Sequence, residues 1–242
     1  EKVIVSQERI AENIILVFKA NKTNSRFSDI AEIKSCPDNK FTPPKSVNVK
    51  LTSRDKNIRV LFPHLKQEIP LFIIFRALGI ESDLNIVECI VGDIEHPKNE
   101  ELLNIIKTSL EECDKITEME EKIQTQNLAL QYLTKYINYV GHPRDIKLDL
   151  NTKVNYVREI LKRDFLPHIG DSYLKKAYFL GHMVNKLLLC HLKRIDYDDR
   201  DSYINKRIDH PGALLATLFR QYFSKVIKDM RSQVMKELNN HP

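Results

Sequence analysis

The chain has 242 residues, 42% hydrophobic and 29% charged, the balance of an ordinary soluble globular chain with room for one large domain or two small ones. Only 6 residues are Gly, which excludes collagen-like or Gly-rich linker sequence and argues against a glycine-built phosphate-binding fold. The formal net charge of +5 permits an acidic partner such as nucleic acid without demanding one.

The opening residues Glu1 to Val5 have no apolar h-region and are not expected to act as a signal peptide. The first third then reads as strands. Lys2–Val5, Ile14–Phe18, Ile30–Ile33, Val47–Leu51 and Ile58–Phe62 are short and rich in β-branched residues, and several alternate apolar with polar. Turn-forming stretches separate them, among them Asn21–Ser25, Cys36–Asn39 and Thr42–Pro44. Arg54–Asn57 is placed to close a hairpin. The longest apolar run, Ile69 to Leu78, is broken by Arg76 and falls short of the roughly 20 residues that a membrane helix needs. Within it, Pro70 at the first helical position and Gly79 just past the end predict a buried helix of about two turns. Arg76, its only charged residue, is expected to reach a carboxylate or the surface.

From about residue 83 the period shifts from two to near 3.6. Helices are predicted over Asn99–Asp114, Gln124–Tyr139 (ended by Gly141-His142-Pro143), and from a cap at Asn151 or Thr152 toward Phe165. A long one follows from a cap at Asp171 or Ser172 to about Leu192, with Leu174, Ala177, Tyr178 and Leu180 on its apolar side. The last runs from Pro211 to about Leu238 behind Asp209, with Leu214, Leu215, Leu218, Phe219, Phe223, Val226 and Ile227 inward; its partner is expected outside the chain. The fold class is α+β: mainly antiparallel sheet in the N-terminal third, packed helices in the C-terminal two thirds.

No GxSxG, HExxH, Walker A or GxGxxG motif occurs, which removes support from common hydrolases, zincins and nucleotide-binding classes. Cys36, Cys89, Cys113 and Cys190 form no CxxC pair, so buried reduced thiols of a cytosolic or nuclear protein are expected. His168 and His182 are the histidines expected to be buried. The densest ionisable cluster is Asp196–Arg207. Three readings stand side by side. Asp198, Asp199 and Asp201 suit a hard Mg²⁺ ion, but Arg200, Lys206 and Arg207 offset the charge that a metal needs. An ion-paired loop between helices uses the same residues. So does a nucleic-acid contact, with Lys206 and Arg207 neutralising phosphates.

Blocks along the chain resemble the second-largest subunit of multisubunit DNA-directed RNA polymerases of the eukaryotic, archaeal and large-DNA-virus type. They are Gln7-Glu8-Arg9, Val17-Phe18-Lys19, Ala31-Glu32-Ile33, Lys66–Pro70 running into Ile73–Ile80, Phe165–His168, Lys176–Leu189, Asp198–Asp201, Asn205–Arg207 and Asp209. The resemblance implies that residues 10–207 are the lobe domain and that 1–9 and 208–242 are pieces of the neighbouring protrusion. It implies a non-catalytic wall of the downstream DNA cleft that also faces accessory subunits and initiation or elongation factors. No cofactor is expected in this chain, since the family holds its Mg²⁺ on the largest subunit. The implied partners are other polymerase subunits, especially the largest, and downstream DNA, with no membrane. The implied DNA-binding residues are Asp201, Asn205, Lys206 and Arg207; Lys206 stands where bacterial relatives have Arg, so it keeps the charge without the bidentate fork. The divergent stretch 92–150 suits a viral copy. Rival readings are a stand-alone Mg²⁺ enzyme on Asp198, Asp199 and Asp201, and a scaffold module with no nucleic-acid role.

Overall fold

A computed structural model describes residues 7–10, 12–20, 26–37, 43–118, 121–139, 149–200, 202, 206–209 and 211–240. The expected strand Lys2–Val5 and the Gly141–Pro143 stop lie outside them. Residues 12–199 form one compact unit, and residues 1–11 with 200–242 form another.

The larger unit starts with an antiparallel meander: β2 (Ile15–Lys19), β3 (Phe27–Ser35), β4 (Lys45–Thr52), β5 (Ile58–Leu61) and the two-residue β6 (Ile69–Pro70), in that spatial order. β-branched residues at alternate positions give the sheet one buried face. Val17, Ala31, Val49, Val60 and Ile69 align in one row across all five strands, and all are fully buried. Fully burying an aliphatic side chain of this kind contributes roughly 1.5–3 kcal/mol. The β4–β5 hairpin closes as expected: Thr52 N–H donates to Asn57 O (2.9 Å), Asn57 N–H donates to Thr52 Oγ1 (2.8 Å), and Lys56 takes φ +56° at the tip. Asp29 shares the buried face of β3 with Ala31, Ile33 and Ser35 by plain alternation, and a register shift precedes it, between Phe27 and Asp29.

Pro70 is the cap, not the first helical residue, of α1 (Leu71–Ala77): its ψ of 142° is extended because it still pairs as part of β6. Every residue of α1 is buried. A helix this short is stabilised by packing and not by propensity. Gly79, at φ +97°, turns the chain behind it. Arg76 reaches a carboxylate: its Nη2 donates to Asp83 Oδ1 (2.6 Å), and Nη1 donates to Cys113 Sγ (3.2 Å) and to the Ile123 carbonyl.

The remaining helices of this unit are α2 (Asp83–Val91), α3 (Glu100–Asp114), α4 (Gln126–Tyr136), α5 (Leu150–Arg163) and α6 (Tyr173–His191), with a two-residue hairpin of β7 (Thr117–Glu118) and β8 (Glu121–Lys122) before α4. α4 stops earlier than expected. Ile137 turns extended (ψ 140°) and bridges to Leu65, while Asn138 N–H donates to His64 O (2.8 Å). The α5 cap is Asp149, without a side-chain bond, and not Asn151 or Thr152. Ser172 caps α6, its Oγ accepting from Lys175 N–H (3.5 Å). α6 lies against β2, β3 and β4 and crosses α2. Leu174 and Tyr178 of α6 are exposed, contrary to expectation, while Ala177 and Leu180 are buried with Val184 and Leu187.

In the other unit, β1 (Gln7–Ile10) pairs antiparallel with β9 (Lys206–Asp209), and α7 (Pro211–Asn240) follows. Asp209 belongs to β9. Leu215, Leu218, Phe219, Phe223, Val226 and Ile227 of α7 are exposed in this chain, and the side chain of Leu214 lies outside what the structure describes. No helix among the described residues is long and apolar enough to cross a membrane.

Candidate functional site

The acidic–basic cluster from Asp196 onward starts in the loop that leaves α6. Its first members are fastened to the sheet. Asp198 N–H donates to Val17 O, and Asp198 Oδ2 accepts from Val17 N–H, both at 2.8 Å. The same carboxylate oxygen accepts from Lys186 Nζ (2.8 Å), which also donates to Ile15 O (2.8 Å). Val17 and Ile15 lie on β2, the outer strand of the sheet. Asp198 and Lys186 therefore occupy backbone groups that an edge strand would otherwise offer to another chain. With Oδ2 shared between a backbone donor and an ammonium group, the ion-paired loop is the better account of Asp198 than a Mg²⁺ ligand. Among the described residues no group of three or more His, Cys, Asp or Glu could hold a metal ion.

The residue before Asp198 is tied to a buried charge. Asp29 is only 2% exposed. Its Oδ1 accepts from Tyr197 OH, and its Oδ2 accepts from Ser28 Oγ, each at 2.7 Å. His191 Nδ1 lies 2.7 Å from Oδ2; an ionised carboxylate only accepts, so Nδ1 carries the hydrogen. Burial alone would raise the Asp29 pKa, but the bonds from Tyr197, Ser28 and His191 overcome it and hold the carboxyl below its ordinary value. Burial, then donation to Asp29, pushes the Tyr197 phenol up. Lys19 Nζ sits 5.1 Å from the centre of the Tyr197 ring, within cation–π range.

Two of the four predicted DNA-binding residues, Lys206 and Arg207, lie on β9; Asp201 and Asn205 fall outside the described residues. The β1–β9 register sets Arg9 opposite Arg207 and Ile10 opposite Lys206. Directly opposite residues of an antiparallel pair are near neighbours, so Arg9 joins the candidate set. Sequence reading passed over it because its partner strand comes nearly the whole chain later.

Beside Lys186 runs an open, mainly apolar groove of about 460 Å³, lined by Ile14, Phe179, His182, Leu189 and Ile195 among others. His182 is exposed there, contrary to expectation; Leu174, Tyr178 and His182 recur every four residues and share one face of α6. His168 is half-buried and its Nδ1 lies 2.7 Å from Ser35 Oγ. Cys113 and Cys190 are buried, Cys36 and Cys89 half-buried. Burial pushes the Cys113 thiol up to about 11 and raises Cys89 and Cys190 as well, so these three are poor nucleophiles at neutral pH.

An α+β unit with the Asp198 loop fastened to its sheet, and a second unit whose strand β9 carries Lys206 and Arg207, fall within one family match. The sequence model of RNA polymerase Rpb2, domain 2, matches residues 11–209, and the chain belongs to that family. It is 36% identical to DNA-directed RNA polymerase II subunit 2 of Arabidopsis thaliana and 37% identical to subunit RPB2 of Encephalitozoon cuniculi, each over 99% of this chain and 20% of the relative. It is 32% identical to the archaeal subunit Rpo2 of Saccharolobus shibatae, over 98% of this chain and 19% of the relative. The chain thus spans about a fifth of the length of these relatives.

Proposed function

We propose that the chain is the lobe region of the second-largest subunit of a DNA-directed RNA polymerase, with residues 10–207 as the lobe and 1–9 and 208–242 as pieces of the adjoining protrusion. It acts without catalytic residues of its own, as a wall of the downstream DNA cleft. The Mg²⁺ of nucleotidyl transfer belongs to the largest subunit, its principal partner. Lys206 and Arg207, with Asp201 and Asn205 in the same segment, meet the DNA; the cations neutralise phosphates. The exposed Leu174 and Tyr178, on the α6 face that borders the groove, support a docking surface for accessory subunits or for initiation and elongation factors. The observation that carries the reading is the match to Rpb2 domain 2 over 11–209, a span that includes the whole candidate segment.

The test is the salt dependence of downstream-DNA binding by the assembled polymerase. Each phosphate contact contributes about −0.9 to the slope of log K against log salt. Lys206→Ala with Arg207→Ala is expected to flatten that slope by about 2, and Arg9→Ala by about 1. An unchanged slope removes these residues from the DNA path and leaves a scaffold role.

A further inference from the structure

The groove beside Lys186 lies within the unit 12–199. Along α6, Phe179, His182, Lys186 and Leu189 line it at intervals of three and four residues, as one helix face does. Ile14 from the start of β2 and Ile195 from the loop after α6 add apolar groups that are 39% and 45% exposed. That loop is already held: Cys190 Sγ donates to Asp196 O (3.6 Å), and Tyr197 OH donates to Asp29 Oδ1 (2.7 Å). A wall fixed beforehand lowers the ordering cost of binding.

The chemistry of the lining narrows the occupant. The groove is open, whereas small-molecule sites enclose most of their ligand. Nucleic acid is held chiefly through its phosphates, but Lys186 Nζ is committed to Asp198 Oδ2 and Ile15 O (2.8 Å each). Apolar side chains of a protein suit the walls better. The strand edge agrees. Ile15 C=O points outward from β2 to Lys186, and the N–H of the same residue points the same way, toward where a peptide carbonyl would accept it. Charge sets the class of peptide. α6 contains Lys175, Lys176, Lys186 and two histidines, and no Asp or Glu. Lys175 and His182, both exposed, lie about one turn to either side of Phe179. Glu12 and Asp196, adjacent in sequence to lining residues, are not part of the lining.

We propose that this groove takes a short acidic segment of a partner protein: an apolar side chain enters among Ile14, Phe179, Leu189 and Ile195, and carboxylates meet Lys175 and His182. This rests on the reading of the α6 face as a docking surface for accessory subunits or factors, and it names what docks there. Charge-assisted hydrogen bonds at the two ends of the Phe179 turn fix the register, and the buried apolar side chain supplies most of the affinity.

The experiment is fluorescence anisotropy of labelled probes on the assembled polymerase. The first probe is a peptide of alternating Glu and Leu with a central Phe. The second has Gln for every Glu, the third has Ala for Leu and Phe, and the fourth is a single-stranded oligothymidine of equal charge. The first is expected to bind about tenfold more tightly than the others. Ile14→Ser with Ile195→Ser is expected to weaken it about tenfold, and Lys175→Glu about threefold. These positions are exposed, so the substitutions leave the fold intact. Equal binding of the third peptide means bare charge attraction and overturns the inference. If the Gln peptide binds as tightly as the first and loses affinity with Ile14→Ser, Ile195→Ser, the acidic class is overturned and the docking surface stands. If Lys175→Glu weakens the oligothymidine alone, the face belongs to nucleic acid and the inference is overturned. If no probe responds to any of these substitutions, the inference and the docking reading of this face fall together.

Discussion

A Cβ added at Gly181 would lie 2.2 Å from the carbonyl oxygen of Cys89, so α6 and α2 meet backbone to backbone at this crossing. The oxygen belongs to a helix and cannot swing aside as a side chain would. Helix axes normally stay 8–10 Å apart, at a distance set by the side chains at the contact; glycine permits the closest approach. Asn185 Nδ2, one turn further along α6, donates to Ile90 O (2.8 Å) and fixes the same crossing.

Gly181→Ala is therefore expected to force the two helices apart. Its cost should lie at or above the upper end of the roughly 1–3 kcal/mol usual for overpacking. Urea unfolding of the chain, compared with Gly92→Ala as a control, measures it. Gly92 has nothing within 4 Å of the added carbon, and its φ of +81° makes its own cost one of backbone strain alone.

Arg76 and Asp83 should respond unequally. Arg76 is 1% exposed while the Asp83 side chain is 44% exposed. Asp83→Asn keeps an oxygen for Nη2 but removes the charge that compensates the buried cation, and a cost of about 3 kcal/mol is expected. Arg76→Met fills similar volume without a charge and lets Asp83 hydrate, so it should cost clearly less. Adding Asp83→Asn to Arg76→Met should then change little. Equilibrium unfolding of the three variants decides this; an equal cost for both single changes would refute the asymmetry.

Lys176 supplies a pH dependence. It is fully buried, and its Nζ donates to Leu161 O (2.8 Å) and Lys162 O (2.6 Å) at the C-terminal end of α5, where helix carbonyls lack intrahelical partners. Burial, aided by Lys162, pushes its pKa from the ordinary 10.5 down to about 8, against Asp171 and Asp164. Between pH 8 and 10.5 the unfolded chain thus binds more protons at this site than the folded one, and stability contributed here rises with pH. The raised thiols and phenols work in the opposite direction above about pH 9, so the difference from Lys176→Met isolates the effect. The stability of the parent relative to that variant should rise by about 3 kcal/mol at most from pH 8 to 10.5. A flat difference would mean that the amine is solvated.

Much of the architecture was legible in the chain. Alternation in Ile30–Ile33 and Val47–Leu51 reports a sheet with one buried face, and the Arg54–Asn57 turn fixes the hairpin between its neighbours. The run from Leu71 is apolar on every side because α1 is buried on every side. These are short-range signals, carried by residues within one turn or one strand of each other. The segment 196–207 was also legible as a dense set of charges, and the family resemblance was carried by residues around it.

Tertiary structure decided the partners. Asp198 finds Lys186 and Val17, Tyr197 finds Asp29, and Arg9 stands opposite Arg207, pairings that no local pattern encodes. Periodicity also misassigned Leu174, Tyr178 and His182, because an amphipathic stripe states that a face is apolar but not how wide a face the sheet covers. The sequence by itself determined which segments become strands and helices and which residues carry charge. Which charge meets which is settled only when distant strands are brought together, since an ion pair or a buried hydrogen bond depends on separations of about 3 Å that a one-dimensional spacing does not contain.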